Sequence, residues 1–358
     1  MPRPRNWISL DPWRASGSLQ LVRGWCSLVT GARSVTSLTS FSRLNIDVDA
    51  ARLLKDFHSL GDSGALSLNA YDAGHVVPLN VDGWTALPLR SQGGRAERTD
   101  PGGPGLEGFR ATDFLLRLPA FAEFLNALPC ELRSVRLLAL HPGKRVPTHR
   151  DDHIGFPFGQ LRLHVPVKTD RQATITIDGT TMTWDPGAVW FGDFSLPHSI
   201  SNEGNSVRVH LVMDCLLSPD LLEVFPRDFR ASILPDDLLF NPPLEHGPAP
   251  GFTTSFMLPG ALTSDLLANP DYGGDLESAK VIASECRATI FHLGLPMCRL
   301  ERLTSGEWRI CGWTVERTFS FVSDGAVLRI RRGSLTRKWF MHQKAVITEP
   351  AHEPEEER

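Results

Sequence analysis

The sequence predicts a mainly β protein with flanking helices. A sandwich- or barrel-like β-domain occupies residues 41–225, and a smaller C-terminal unit of mixed α/β or helical character follows. Three observations lead there. Between residues 133 and 217, short runs of alternating apolar and polar residues recur at the roughly 8–12-residue spacing of an all-β domain. The turn signals Pro142-Gly143, Asp178-Gly179 and Asp185-Pro186-Gly187 separate those runs. The pattern then stops at residues 226–250, where "FNPPLEHGPAPG" reads as a Pro/Gly-rich linker.

Residues 1–40 are rich in Arg and Ser, with Asp11 their only acid. They are expected as a flexible extension outside the fold, similar in composition to a transit peptide and without the apolar stretch of a secretion signal. "FSRLNIDVDAARLLKDFHSL" begins as a strand and becomes a helix, with Asp47 or Asp49 available as its N-cap and Ala50, Leu53, Leu54 and Phe57 on its apolar face. Residues 83–109, Gly- and Pro-rich without period, read as a long loop. "ATDFLLRLPAFAEFLNAL" reads as helix interrupted near Pro119.

The β texture then sets in. "SVRLLALHPG" is a strand running into a Pro-Gly turn. "QLRLHVPVKT" puts Arg162 and His164 on one face and Leu161, Leu163 and Val165 on the other. "ATITIDGTTMTW" is a hairpin closed by Asp178-Gly179. "DPGAVWFGDF" and "SVRVHLVMDCLL" supply two more strands. Beyond the linker, residues 251–345 are expected as an accessory domain, across whose boundary few contacts should pass. A helix is expected at "DLESAKVIASECRATIFHLG". The basic, aromatic "VLRIRRGSLTRKWFMHQ" reads as a solvated edge strand, or else as a groove for an acidic substrate segment. Residues 346–358 form an acidic tail.

With 358 residues, 41% hydrophobic and 22% charged, the chain is long enough for one large domain and an appendage. A net charge of −4 gives no electrostatic footprint for nucleic acid or a membrane surface, and neither is expected as a partner. No run of 18 apolar residues suggests a transmembrane helix. The six cysteines are scattered without C-x-x-C spacing, which favours reduced thiols and a cytoplasmic location.

The chemistry concentrates at "PTHRDDH", residues 147–153. On an extended strand, positions i and i+2 share a face, so His149 and Asp151 converge while Arg150 and Asp152 point away. His153 would share that face as a neighbour of the site or a substrate-side group. His198 lies 49 residues further on, in "FSLPHSISN". Two imidazoles and one carboxylate form the facial triad that suits Fe(II) and leaves coordination positions open. Arg208, on the next strand, is placed to clamp a carboxylate in bidentate fashion. A metal triad with such an arginine suggests an iron enzyme with a 2-oxo acid as co-substrate.

These segments resemble the aspartyl/asparaginyl β-hydroxylase family of 2-oxoglutarate oxygenases, within it the bacterial proline cis-4-hydroxylase type. The resemblance spans about residues 40–225 and is specific over 133–215. The family's His-Pro-Gly turn matches His141-Pro142-Gly143, its metal histidines match His149 and His198, and its carboxylate-clamping arginine matches Arg208. Its Arg/His strand at the 2-oxoglutarate carboxylate matches Arg162 and His164. Animal aspartyl β-hydroxylases lack the metal carboxylate; Asp151 keeps it here, as in the proline-type relatives. The resemblance implies a double-stranded β-helix (jelly-roll) core. It also implies hydroxylation with Fe(II), 2-oxoglutarate and O2, in which His149, Asp151 and His198 are the metal-holding catalytic residues. The substrate it implies is an amino-acid side chain, free and proline-like or an Asp, Asn or other residue in a peptide, with natural-product biosynthesis as one setting.

Simpler readings stand beside these. Arg162 and His164 also suit a polar stripe on an exposed sheet face, Arg208 a structural ion pair, and Arg136 either a substrate grip or a surface position. Trp184 and Trp190 suit a core, and Asp193 a turn. A cupin-like metal protein that oxidises nothing, an isomerase or ligand sensor, is the alternative class. Arg208 separates the two, because a sensor need not clamp a dicarboxylate.

Overall fold

The computed structural model describes residues 40–61, 68–69, 82–247, 251–271, 275–284, 286–343 and 346–352. The expected N-terminal extension, apart from Ser40, and the end of the acidic tail lie outside these residues.

Twelve strands build the first unit. They are β1 (Phe41–Asp47), β2 (Leu68–Asn69), β3 (Trp84–Gln92), β4 (Phe109–Ala111), β5 (Leu132–Leu140), β6 (Lys144–His149), β7 (Gln160–Lys168), β8 (Ala173–Ile177), β9 (Thr180–Met182), β10 (Ala188–Gly192), β11 (His198–Asn202) and β12 (Arg208–Leu216). The larger sheet runs β1-β10-β7-β12-β5-β3-β2, with β4 beside β3; the smaller runs β6-β11-β8-β9. Every pairing is antiparallel. The two sheets enclose one apolar core, with Trp84, Leu138 and Val212 from the larger and Val146, Ile175 and Ile200 from the smaller. This is the jelly-roll arrangement.

Local sequence explains the pieces. Asp178 (φ 47°) and Gly179 (φ 77°) both sit in the left-handed region, the conformation of a two-residue type I′ hairpin turn, and they join β8 to β9. Helix α1 (Ala50–Ser59) is capped by Asp49, whose carboxylate accepts from the Arg52 N–H at 3.0 Å. Pro119 does break a helix: α2 (Asp113–Leu116) stops before it, and α3 (Pro119–Asn126) starts on it. Part of the expected 83–109 loop is strand, because Leu87 and Leu89 are buried on β3; the loop proper is shorter.

The larger sheet has two unlike faces. Outward, Leu137, Leu161, Leu163, Val165, Val209, Leu211 and Met213 pack under the helices against Leu53, Phe121 and Phe225. Burying each such side chain contributes about 1.5–3 kcal/mol. Inward, β7 and β12 present Arg162, His164, Arg208, His210 and Asp214, all nearly or fully buried. Aliphatic residues there would stabilise the fold more. Polar groups at those positions therefore point to function rather than folding.

The C-terminal unit is an antiparallel nine-stranded meander: β13 (Phe252–Pro259), β14 (Leu276–Ser284), β15 (Arg287–His292), β16 (Leu295–Arg302), β17 (Trp308–Ile310), β18 (Arg317–Val322), β19 (Gly325–Arg332), β20 (Leu335–His342) and β21 (Val346–His352). It curls until β13 meets β19, β20 and β21, close to a barrel. The expected mixed or helical character is corrected here. "DLESAKVIASECRATIFHLG" contains β14 and β15, not a helix, since Ala279, Val281 and Ala283 are buried and alternate with exposed residues at period two. The basic stretch is not an edge strand. β19 and β20 lie inside the sheet, Trp339 and Met341 are buried, and Glu307 ties down Arg329 and Arg331. The first part of the acidic tail is β21, paired with β20.

Far more than a few contacts cross between the units. Arg309 reaches Glu131 at 3.0 Å. The Thr314 hydroxyl donates to Phe158 O at 2.8 Å, and Val315 N donates to Asn241 Oδ1 at 3.0 Å. Gly333, at the β19–β20 turn, donates to Pro157 O; a Cβ there would collide with Asp236 O. Residues 240–247 of the expected linker are packed structure, with Leu244 bridging to Leu303 and the Asn241 side chain donating to Gly159 O.

Candidate active site

β6 and β11 are neighbours in the smaller sheet, and their register pairs His149 directly with His198. The two rings lie 4.1 Å apart between centroids. β6 ends at His149, and the chain then turns: Asp151 N donates to Phe194 O at 2.9 Å, which places the carboxylate beside both rings. Ligand atoms of His149, Asp151 and His198 lie within 4.8 Å of one another. Among the described residues this is the one group of three or more His, Cys, Asp or Glu side chains so arranged.

The tautomers suit a metal. His149 Nδ1 lies 2.8 Å from Pro147 O, and His198 Nδ1 lies 3.0 Å from Leu196 O. A carbonyl only accepts, so each Nδ1 carries the proton and each Nε2 keeps its lone pair. Burial pushes His198 down to about 4, so the ring is neutral at physiological pH. Asp151 Oδ1 stands 3.6 Å from His149 Nε2, while Arg162 Nη1 donates to Oδ2. One carboxylate oxygen is therefore held and the other faces the imidazoles.

Arg162 is itself fixed. Its Nε and Nη2 donate to Asp214 at 2.7 and 3.2 Å, and Arg136 donates to the same carboxylate at 3.4 Å. The family resemblance implies a place for Arg162 beside the co-substrate carboxylate, whereas its guanidinium is taken up by Asp151 and Asp214. Arg136 is fully buried rather than on the surface. Asp214 escaped the sequence reading, yet parity alone places it on the face of Arg208, His210 and Val212.

His164 stands opposite Val212 on β12, stacks on Phe194 at 4.8 Å, and has no protein hydrogen-bond partner on either ring nitrogen. Burial, then Arg208 and Arg162, hold it well below its ordinary pKa. Arg208 is 4% exposed, and its closest polar contact is His210 Nδ1 at 3.1 Å. Burial pushes Arg208 down to about 9, and no carboxylate among the described residues faces it. Trp184 and Trp190 stack face to face at 5.6 Å and close that end of the core. A pocket opens beside the three metal-type residues, walled by Trp84, Leu138, Phe194, Ile200 and Val212 around His149, Asp151, Arg162, His164 and His198.

The remaining candidates point elsewhere. Asp152 is exposed, and Arg150 donates to Ser195 O. His153 does not join the metal face; with φ 54° it turns toward the C-terminal unit and meets Glu316. Asp193 is a turn residue, accepting from Ser195 N and Oγ. No helix among the described residues is long and apolar enough to cross a membrane.

Several solved structures are similar over part of the chain. A prolyl hydroxylase from Trichoplax adhaerens, in complex with a hypoxia inducible factor peptide fragment, is 12% identical over 54% of this chain and 86% of its own, with a TM-score of 0.32. A Pseudomonas putida prolyl-4-hydroxylase is 16% identical over 49% of this chain and 92% of its own (TM-score 0.30). A predicted oxalate decarboxylase from Thermotoga maritima is 24% identical over 24% of this chain and 68% of its own (TM-score 0.20). No curated protein sequence matches the chain. The model of the aspartyl/asparaginyl β-hydroxylase family matches residues 43–217, the stretch that contains His149, Asp151, His198 and Arg208. Over that stretch, just under half of its length, the chain is similar to the aspartyl/asparaginyl β-hydroxylase family.

Proposed function

We propose that the protein is an Fe(II)- and 2-oxoglutarate-dependent dioxygenase that hydroxylates an amino-acid side chain, free or within a peptide. His149 Nε2, Asp151 Oδ1 and His198 Nε2 would hold Fe(II), a donor set of two nitrogens and one oxygen that suits this ion. The iron, when bound, supplies the oxidising power that an unactivated C–H bond demands. Arg162 keeps Asp151 in one orientation by holding its second oxygen. Residues 41–225 carry this machinery, and we take 251–345 as the accessory unit.

Arg208 carries the proposal. A buried guanidinium without a carboxylate is costly, and an anionic ligand resolves that cost. Arg208 lies four residues along β12 from Val212 in the pocket wall, roughly 13 Å by strand rise. The long arginine side chain and a five-carbon dicarboxylate bridge that span together. His164, neutral and unpartnered, lies along the way to donate a further hydrogen bond. Phe194, Trp184 and Trp190 exclude water and strengthen each polar contact.

The test is 2-oxoglutarate decarboxylation with Fe(II), ascorbate and O2, coupled to mass spectrometry of a panel of amino acids and peptides. Succinate formation with gain of one oxygen atom is expected. Tight metal binding with neither 2-oxoglutarate binding nor turnover would instead favour the non-oxidative cupin-like alternative.

A further inference from the structure

The segment after Asp151 is held at three points. Asp151 N donates to Phe194 O at 2.9 Å, and Gly155 N donates to Gln160 O at 2.7 Å. Between them, His153 adopts φ 54°, a left-handed conformation that persists in a residue with a side chain where its surroundings over-determine it. The surroundings are largely those of the second unit. His153 Nδ1 lies 3.0 Å from both carboxylate oxygens of Glu316. Its ring meets Phe158 and Trp313 edge-on, each at 5.5 Å.

Glu316 is built to stay in place. It is 0% exposed, and Trp313 Nε1 donates to its Oε2 at 3.0 Å. Its own N–H donates to the Thr314 hydroxyl, which donates to Phe158 O in the first unit. Its carbonyl accepts from Arg331 N at 2.8 Å. A buried carboxylate fixed so firmly, with an imidazole from the other unit on both oxygens, anchors the chain two residues from the metal-type carboxylate.

We propose that Glu316 is a positioning residue: through His153 it fixes the turn that carries Asp151, so the second unit sets the reach of the metal-binding carboxylate. The proposal rests on the reading of His149, Asp151 and His198 as a metal site.

Co(II) titration of the full-length chain, followed by its visible spectrum and by calorimetry, tests it. Four proteins are compared: wild type, Glu316→Gln, His153→Asn and the double variant. Gln offers one acceptor oxygen where Glu offers two, and Asn tolerates the left-handed backbone. Outer-shell partners of a metal site typically govern affinity by about 10–100-fold, and each single variant is expected at the low end, about tenfold weaker. The double variant is expected to be no weaker than the singles, because one linkage is lost in all three. The Co(II) absorption bands should change in the variants, a readout that a merely structural contact leaves alone. Variants that fold and bind Co(II) within twofold of wild type, with an unchanged spectrum, overturn the proposal. If Glu316→Gln does not fold, His153→Asn decides by the same criteria. Failure of the wild type itself to bind Co(II) would overturn the metal-site reading, a result distinct from failure of the positioning role.

Discussion

His149 and His198 are directly paired residues of adjacent antiparallel strands, and their Nδ1 atoms both donate to carbonyls two residues earlier, Pro147 O and Leu196 O. The identical backbone device on two strands turns both Nε2 atoms toward Asp151. Removing any one of the three should therefore destroy the donor set. His149→Ala, Asp151→Ala and His198→Ala are each expected to weaken Fe(II) or Co(II) binding by about 100-fold or more, beyond what outer-shell changes cost. Asp152→Ala, at an exposed position, should leave it unchanged. Titration of the four variants checks this, and a dead Asp152→Ala beside an active Asp151→Ala would reverse the assignment.

Arg208 gives a prediction with two opposite signs. Replacement by Met removes a buried charge that no carboxylate balances, so the melting temperature should stay level or rise. The same change should weaken 2-oxoglutarate binding by about 2–5 kcal/mol, the cost of losing one side of a desolvated charge pair. Calorimetry of the variant, with and without 2-oxoglutarate, measures both. A large loss of stability with intact binding would return Arg208 to a structural role.

Asp214 should behave in the opposite way. Burial alone would raise its pKa, but Arg162, Arg136 and Arg133 outweigh burial and hold it below the ordinary carboxylate value. A depressed pKa contributes stability above the unfolded value of about 3.9, and that stability is lost as pH falls through the folded value. Asp214→Asn removes the carboxylate that Arg162 and Arg136 share in the core and is expected to cost about 3–5 kcal/mol at neutral pH. Its stability should also fall less steeply than wild type below about pH 4. Denaturant unfolding at neutral and acid pH tests both; parallel curves would remove Asp214 as the balancing charge.

What was legible in the sequence depended on local rules. Asp178-Gly179 closes its hairpin, and Asp49 caps its helix, because both signals act within a few residues. Strand parity puts Arg162 and His164 on one common face, and applied once more to β12 it sets Asp214 beside Arg208 and His210. Parity misled at His153, because β6 stops at His149 and a left-handed residue has no place in an alternating strand. Glu316 was out of reach altogether. It lies 163 residues from His153, and nothing local to either residue announces the pairing. The β14–β15 segment was misread as helix because Ala279, Ala283 and Ala288 favour helices in isolation, while sheet packing decided the outcome.

The boundary between the units yields the last prediction. Arg133, on β5, donates to Gly312 O at 2.6 Å and lies over the rings of Phe109 at 5.1 Å and Trp313 at 4.8 Å. It is fully buried, and burial pushes its guanidinium down to about 10. Neither unit alone could shelter that group: Phe109 belongs to the first and Trp313 to the second. Two units that share a buried charge should unfold together. Heating the whole chain is therefore expected to give one transition rather than two. Trp313→Ala, which removes a nearly buried ring and one face of the cation–π sandwich, should lower stability by about 3–5 kcal/mol. Differential scanning calorimetry decides. Two separate transitions in the wild type, with Trp313→Ala moving only one of them, would mean that the second sheet folds independently and that the contacts across the boundary contribute little.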